Sequence, residues 1–227
     1  MSLPLLVLIG GSHASGKSTA ANLLQTQLNS RFPHLKMANW DMMTYFTPTK
    51  ELDSRKPTEF NFEKLENDIK NTTDVDLIII YGLYALLNSN IRDLATLNVF
   101  IDCDADVRLG RWIKRDILNS GNEQQQLEIL LNKYLNHSRQ EAISFIDNTK
   151  FFADIVLPHG ADGVNVTLIV DGLQPLIIQR LESENRSGSL SNVQEREMAR
   201  QGVKASEPSL LSLSSDIANN KRFYGLD

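Results

Sequence analysis

The chain is poor in the residues that staple or chelate. Of its 227 residues only one is cysteine, Cys103, and four are histidine, at positions 13, 34, 137 and 159. A lone cysteine cannot close an intramolecular disulfide, which fits a reducing compartment and excludes a cysteine-based metal cluster. The histidines are scattered, without metal-ligand spacing. No hydrophobic run is long either: the most apolar stretch, Leu77 to Leu87, falls well short of the ~18 residues that a membrane-crossing helix needs. Positive charge is not in excess, since Lys+Arg number 23 against 28 Asp+Glu, a net charge of -5. A sequence-independent nucleic-acid binder would be basic, so neither a nucleic-acid nor a membrane partner is expected. Internal repeats are absent. The apolar start Leu3-Pro4-Leu5-Leu6-Val7-Leu8-Ile9 lacks a basic segment before it and runs at once into glycines, so it reads as a first buried strand rather than a secretory signal. Without a targeting signal the cytoplasm is the expected compartment, with the nucleus open. What remains, 41% hydrophobic and 22% charged residues, is ordinary globular composition and excludes collagen-like, coiled-coil and wholly disordered chains.

Short apolar runs alternate with helical patterns, which predicts an α/β fold: a parallel five-stranded sheet flanked by helices. The predicted strands are Leu5–Ile9, Lys36–Asn39, Leu77–Tyr81, Val99–Asp102 and Asp154–Leu157. They are apolar throughout rather than alternating, as strands covered on both faces are. Predicted helices span Ser18 to Leu28, with Ala21, Leu24 and Leu28 on one face, then Phe62 to Asn71, Ala105 to Leu118 and, longest, Leu127 to Ile146. Val164 to Leu181 is ambiguous, strand-like at first and interrupted by Gly172 and Pro175, and reads as a helix or broken helix. After Glu182 serines mix with charged and amide residues, with no period and no aromatic before Phe223-Tyr224. Residues 1–182 are therefore expected to be the folded domain and 183–227 a mostly disordered tail. Leu210-Leu211-Ser212-Leu213 and Phe223-Tyr224 are candidate docking elements for a protein, although short elements of this kind more often have no partner.

The strongest local signal is Gly11-Ser12-His13-Ala14-Ser15-Gly16-Lys17-Ser18, which fits G-x-x-x-x-G-K-[ST] without exception and sits where it must, between a strand and a helix. Glycines let the backbone wrap a phosphate with its N–H groups, and the helix start adds a favourable dipole. Lys17 can reach the β- and γ-phosphates, the Ser18 hydroxyl can ligate Mg²⁺, and Thr19 follows in the first turn. ATP and Mg²⁺ are thus the expected ligands. Asp41 ends the second strand, where ligands bind in parallel sheets. It can accept the proton of an attacking hydroxyl, help hold Mg²⁺, or simply cap the next turn.

Gly10 through Ser18 with Asp41 resembles the uridine/cytidine kinase family of P-loop phosphotransferases. Asn90-Ile91-Arg92-Asp93-Leu94 followed by Val99 through Leu109 is similar to that family's "RDL … FVDTDADTRL" stretch. Arg111 and Arg115-Asp116-Ile117 follow its lid-helix arginines. Phe151 to Pro158 with Gly160-Ala161-Asp162 resembles its "KYADVIIPRGAD" segment. The likeness covers about residues 5 to 181. It implies a lid at about 111–126 that moves, and transfer of the ATP γ-phosphoryl group to a nucleoside 5'-hydroxyl in pyrimidine salvage. On that resemblance Asp41 is the base, Lys17, Arg111 and Arg115 neutralise charge on the transferring group, and the loop of Asp162 lies against adenine. Arg111 and Arg115 stand four apart, on one helix face.

The sequence departs from the family in four places. Tyr81 stands where the family's "EGI" glutamate supports Mg²⁺, and a phenol is uncharged at pH 7. The nucleoside-gripping hairpin is replaced by a short polar segment, about Asn71 to Asp76. A sugar-contacting aspartate falls at Arg55, with Asp53 a possible substitute. Asn122 and Trp112 occupy positions that are usually basic. Asp76 and Asp102, also at strand ends, are weak candidates for a compensating carboxylate. Two alternatives to a nucleoside kinase therefore stay open: an ATP-binding, pseudokinase-like regulatory protein, and a P-loop kinase for another small alcohol.

Overall fold

The structure, a computed structural model, describes residues 3–48, 55–117 and 123–204. It divides into two compact units, Met1–Ile178 and Gln179–Asp227. The first holds five strands: β1 (Leu5–Gly10), β2 (Met37–Asp41), β3 (Leu77–Tyr81), β4 (Leu97–Ile101) and β5 (Ile155–Leu157). They form one sheet in the order β2-β3-β1-β4-β5, and every neighbouring pair is parallel. The register sets Ile9 beside Tyr81, Gly10 beside Phe100 and Asp41 beside Tyr81. The carboxyl ends of β1, β2 and β3 therefore finish level, at one edge.

Parity along the strands explains the layers. Leu6, Leu8, Ile78, Ile80 and Phe100 face a core shared with Leu65 and Ile69 of α2 (Phe62–Asn71), Ile91 of α3 (Ser89–Leu94), and Leu83 to Leu86. Residues of opposite parity, Val7, Ile9, Leu77, Ile79 and Val99, are equally buried. They point toward the side of α1 (Lys17–Arg31), which packs on β1, β2 and β3. Continuous apolar strands are thus covered on both faces, as expected. A third, smaller core joins Trp112 of α4 (Ala105–Asp116) to Ile117 and to Leu130 of α5 (Glu123–Lys133), with Ala14 of the glycine loop packed against it. Turn chemistry is local: Asn61 and Asn88 cap α2 and α3 by accepting from the backbone N–H groups of Lys64 and Ile91.

Three expectations change. The helix read over Leu127 to Ile146 is a chain of pieces: α5, wide turns over Tyr134–Ser138 and Ala142–Ile146, and α6 (Arg139–Glu141) between them. The longest helix is instead α7 (Gly163–Lys204), which runs through Gly172 and Pro175 without a break. Its buried Val166, Ile169, Val170, Leu173 and Ile177 recur at helical spacing, and Arg31 of α1 pairs with Asp171 across 2.5 Å. Helical backbone continues past Glu182, through Gln194 to Arg200, which are mostly good helix formers. Residues 205–227, with both candidate docking elements, lie outside the described residues, as do Asp53 and Asn122. Among the described residues no helix is long and apolar enough to cross a membrane.

Gly82 follows β3 directly, and a Cβ placed there would come 2.4 Å from Cβ of the fully buried Met42. Gly82→Ala should therefore destabilise the fold by ~1–3 kcal/mol through overpacking. A lowered urea midpoint checks this, and an unchanged one would mean that the contact relaxes freely.

Candidate functional site

The loop between β1 and α1 turns by positive φ at three places: Gly11 (143°), Ala14 (56°) and Gly16 (105°). At Ala14 the left-handed conformation costs about 1–2 kcal/mol, strain of the kind that collects at binding loops. At Gly11 no other residue fits, since a Cβ would lie 2.7 Å from the Ile101 carbonyl oxygen. Gly16 opens α1 from a left-handed conformation and has no side chain to cap it. The first N–H groups of α1 are thereby left for a ligand. Lys17 Nζ donates across the loop to the Ser12 carbonyl oxygen at 2.7 Å, and Ser12 Oγ donates to Asp147 at 3.1 Å. Burial pushes the Lys17 ammonium down to about 7; Arg108 adds to the shift, Asp41 opposes it, and Arg115 and Arg55 add the rest. A buried ammonium of this kind is favoured in its charged form when a polyanion binds beside it.

The loop opens into a cavity of about 860 Å³, lined by His13, Ala14, Gly16, Lys17, Ser18, Thr19, Asp41, Arg111 and Arg115 among others. Of the expected site residues, Gly11, Ser12 and Ser15 lie beneath this lining; all three are buried. Asp41 Oδ1 accepts from the Met43 N–H at 2.9 Å, capping the turn Met42–Tyr45. The cap and the cavity-facing position are thus both real. Arg111 donates to the carbonyl oxygens of Ser15 and His159 at 3.4 and 3.2 Å, and it touches Cys103 Sγ at 3.4 Å. That places a guanidinium at the loop's mouth. Arg115 reaches the same cavity but is clamped by Asp116, Nε and Nη2 lying 2.5 and 2.9 Å from its two oxygens. Asp162 does not line the cavity. Its carboxylate caps α7 by accepting from Asn165 N at 2.7 Å, and its neighbour Ala161 takes the lining position.

Beside Asp41 in the sheet, Tyr81 also lines the cavity. Burial, then the Asp41 charge, pushes its phenol up, so it stays neutral. Asp76 and Asp102 do not compensate for the missing carboxylate. Asp76 precedes β3 at the opposite edge, where it accepts from Lys36 N at 2.9 Å, and Asp102 pairs with Lys150 at 2.5 Å. Among the described residues no three His, Cys, Asp or Glu converge to hold a metal. A divalent ion could take the Ser18 hydroxyl and one Asp41 oxygen, with nucleotide oxygens completing its shell. The cradle at Gly11 and Gly16 and the buried Lys17 fit ATP.

Other lining residues carry no sequence signal. Met42, Met43, Phe60 and Leu83 form an apolar wall, and Gln126, Ile129, Leu130 and Lys133 come from α5. Arg55, Tyr81 and Trp112 are the exceptions, each a departure from the family that the sequence resembles. His13 stacks on Trp112 with ring centroids 4.9 Å apart, and burial lowers it to about 4, so it is neutral. The position of Trp112, usually basic in the resembling family, is therefore spent on fastening α4 to the loop.

Comparison with known proteins agrees with this geometry. The sequence model of the "Phosphoribulokinase / Uridine kinase family" matches residues 40–165. A uridine kinase of Halobacterium salinarum is 30% identical over 155 residues, 66% of this chain and 67% of that protein. A Saccharomyces cerevisiae protein provisionally named a uridine kinase is 29% identical over 186 residues, 74% of this chain and 77% of its own. In structure, a Silicibacter protein provisionally assigned as a fructose transport system kinase superposes with a TM-score of 0.56 at 17% identity, covering 70% of this chain and 91% of the other. That last likeness speaks for the fold alone.

With Lys17 near 7 in the free protein, about half of it is neutral at pH 7 and ATP binding should draw a proton in. Protonation favours the complex, so affinity for ATP should fall by up to ~tenfold per pH unit between about pH 7.5 and 9. Calorimetry in buffers of different ionisation enthalpy reads the uptake. Lys17→Met should remove it, and uptake that persists would move the titration to another group.

Proposed function

The chain belongs to the phosphoribulokinase/uridine kinase family, and from that membership and the geometry of its pocket we propose that it transfers the ATP γ-phosphoryl group to the 5'-hydroxyl of a pyrimidine nucleoside, uridine or cytidine. The observation that carries this reading is the meeting of loop, Lys17, Arg111 and Asp41 in one cavity at the carboxyl edge of the sheet. The loop N–H groups and Lys17 bind the β- and γ-phosphates, and Arg111, held by backbone carbonyls, faces the group in transfer. One Asp41 oxygen is tied to Met43 N–H, which orients the carboxylate and leaves the other oxygen to take the hydroxyl proton. Ser18 and Asp41 would hold Mg²⁺, which offsets phosphate charge when bound. The apolar wall of Met42, Phe60 and Leu83 keeps water from competing as acceptor. ATP and Mg²⁺ are thus the proposed ligands, a small-molecule nucleoside the partner, the cytoplasm the proposed compartment, and residues 1–182 the proposed catalytic domain.

Tyr81 favours a second reading, an ATP-binding regulatory protein of little activity, because it removes a carboxylate from the metal side. The two readings separate in one assay. Purified protein with Mg²⁺ and ATP should release ADP when uridine or cytidine is added, slowly for this family. Asp41→Ala should cut the rate by at least ~10²-fold. ATP binding with no nucleoside-stimulated ADP release would favour the regulatory reading. Tyr81→Glu should raise the rate by returning a carboxylate beside Asp41; a loss would mean that the phenol is needed where it stands.

A further inference from the structure

Helix α4 carries Arg111 and Arg115 to the cavity, yet Trp112 is its one buried residue. The indole packs with Ile117 and Leu130 and against Ala14 of the phosphate loop. It also stacks on the ring of His13, with centroids 4.9 Å apart and planes 12° from parallel. His13 directly precedes the left-handed Ala14, so the loop's own turn sets where its ring stands. His13 Nε2 is buried without a hydrogen bond, 3.7 Å from a Glu141 oxygen and too far to bond it. The face of the ring, rather than Nε2, therefore makes the defined contact. Beyond the indole the connections continue. Trp112 Nε1 donates to Asp116 at 2.7 Å, and the same carboxylate grips Arg115 Nε and Nη2 at 2.5 and 2.9 Å. One residue before the indole, Arg111 donates to the Ser15 carbonyl oxygen at 3.4 Å. The loop thus holds α4 at two successive residues, and both arginines are placed by that hold.

We propose that His13 is a positioning residue for phosphoryl transfer: its stack on Trp112 fixes α4, and with it Arg111 and Arg115, against the loop that holds the triphosphate. The proposal rests on the phosphoryl-transfer reading and adds to it a residue that acts through α4 rather than on the reacting atoms. Positive charge lowers the barrier only where charge develops in the transition state, and a misplacement of ~1 Å can cost ~10²-fold in rate. A helix with one buried side chain has little burial with which to hold two guanidinium groups to that tolerance. A stacked aromatic pair adds roughly two- to tenfold to an equilibrium beyond the area it buries, and it prefers a set geometry. The imidazole is also neutral, so it braces α4 without bringing more positive charge beside Lys17.

The test substitutes His13 in the full chain and reads ADP release, at saturating ATP and uridine or cytidine, beside direct titration with ATP. His13→Ala should lower kcat at least ~tenfold and change the Kd for ATP less than ~threefold, because the loop N–H groups and Lys17 remain. His13→Phe, which keeps the stack, should restore most of kcat, and His13→Gln, which keeps only a polar side chain, should not. Trp112→Ala should cost about as much as His13→Ala, and the double variant no more than the larger single loss, since each removes the same contact. Circular dichroism and the urea midpoint check that each variant folds. With Trp40, the other tryptophan of the chain, replaced by Phe, Trp112 should be shielded from acrylamide; His13→Ala should expose it and His13→Phe should not. An unchanged kcat in His13→Ala, or rescue by Gln instead of Phe, overturns the proposal and leaves the phosphoryl-transfer reading standing. A Kd for ATP that rises as much as kcat falls also overturns it, because His13 then serves ATP binding alone. No ADP from the unsubstituted chain, with ATP bound, removes the phosphoryl-transfer reading and this role with it.

Discussion

The packing of β1 between β3 and β4 is the constraint on which the rest depends. Val7, Leu8 and Ile9 are wholly buried, and both neighbours hold the strand in parallel register up to the glycines. The chain then has to turn within a few residues to start α1 on one face of the sheet. The Ile101 carbonyl, at the end of the adjacent strand, leaves Gly11 no room for a side chain. Burial of the strand and shape of the loop are thus one requirement. It leaves N–H groups at the start of α1 without partners, and unpartnered N–H groups are what a phosphate binds.

Charge reaches that loop from several elements. Cations enter the cavity from the loop, α4, α5 and the segment before Pro57, whereas among the described residues Asp41 and Asp116 are the acids in its lining. Asp116 is spent on Arg115 and also accepts from Trp112 Nε1 at 2.7 Å. The trade at Trp112 is instructive. An aromatic side chain there removes a potential phosphate contact and gains a stacked partner, His13, within the loop itself. It also seeds the small core that holds α5 beside the pocket. Contacts that a more basic helix would make with ligand are made here with protein.

Much of this was legible beforehand, for physical reasons that differ from element to element. The strands show because burial on both faces demands unbroken apolar runs, and β3 matches its predicted Leu77–Tyr81 without adjustment. The loop shows because its backbone tolerates few residue types. Asp41 shows because a strand end is a place where carboxylates meet ligands. The α5 wall of the pocket did not show, since Ile129, Leu130 and Lys133 read as an ordinary amphipathic helix and nothing local says which face a cavity will take. The reading of α7 was uncertain because Gly172 and Pro175 are breakers by propensity, and burial of Ile169, Val170 and Leu173 overrides them.

The sequence by itself determined the fold class, the phosphate loop and the family, since these rest on local requirements: steric limits at Gly11 and Gly16, and strand hydrophobicity. The tertiary structure alone decided how the remaining side chains are employed. It gave Asp162 to a helix cap, tied Arg115 to Asp116, and sent Asp76 to the far edge of the sheet. It brought Arg55 and Lys133, 78 positions apart in sequence, to the same cavity. Charge balance in a pocket is a property of elements that converge in space, and no local pattern in the chain records it.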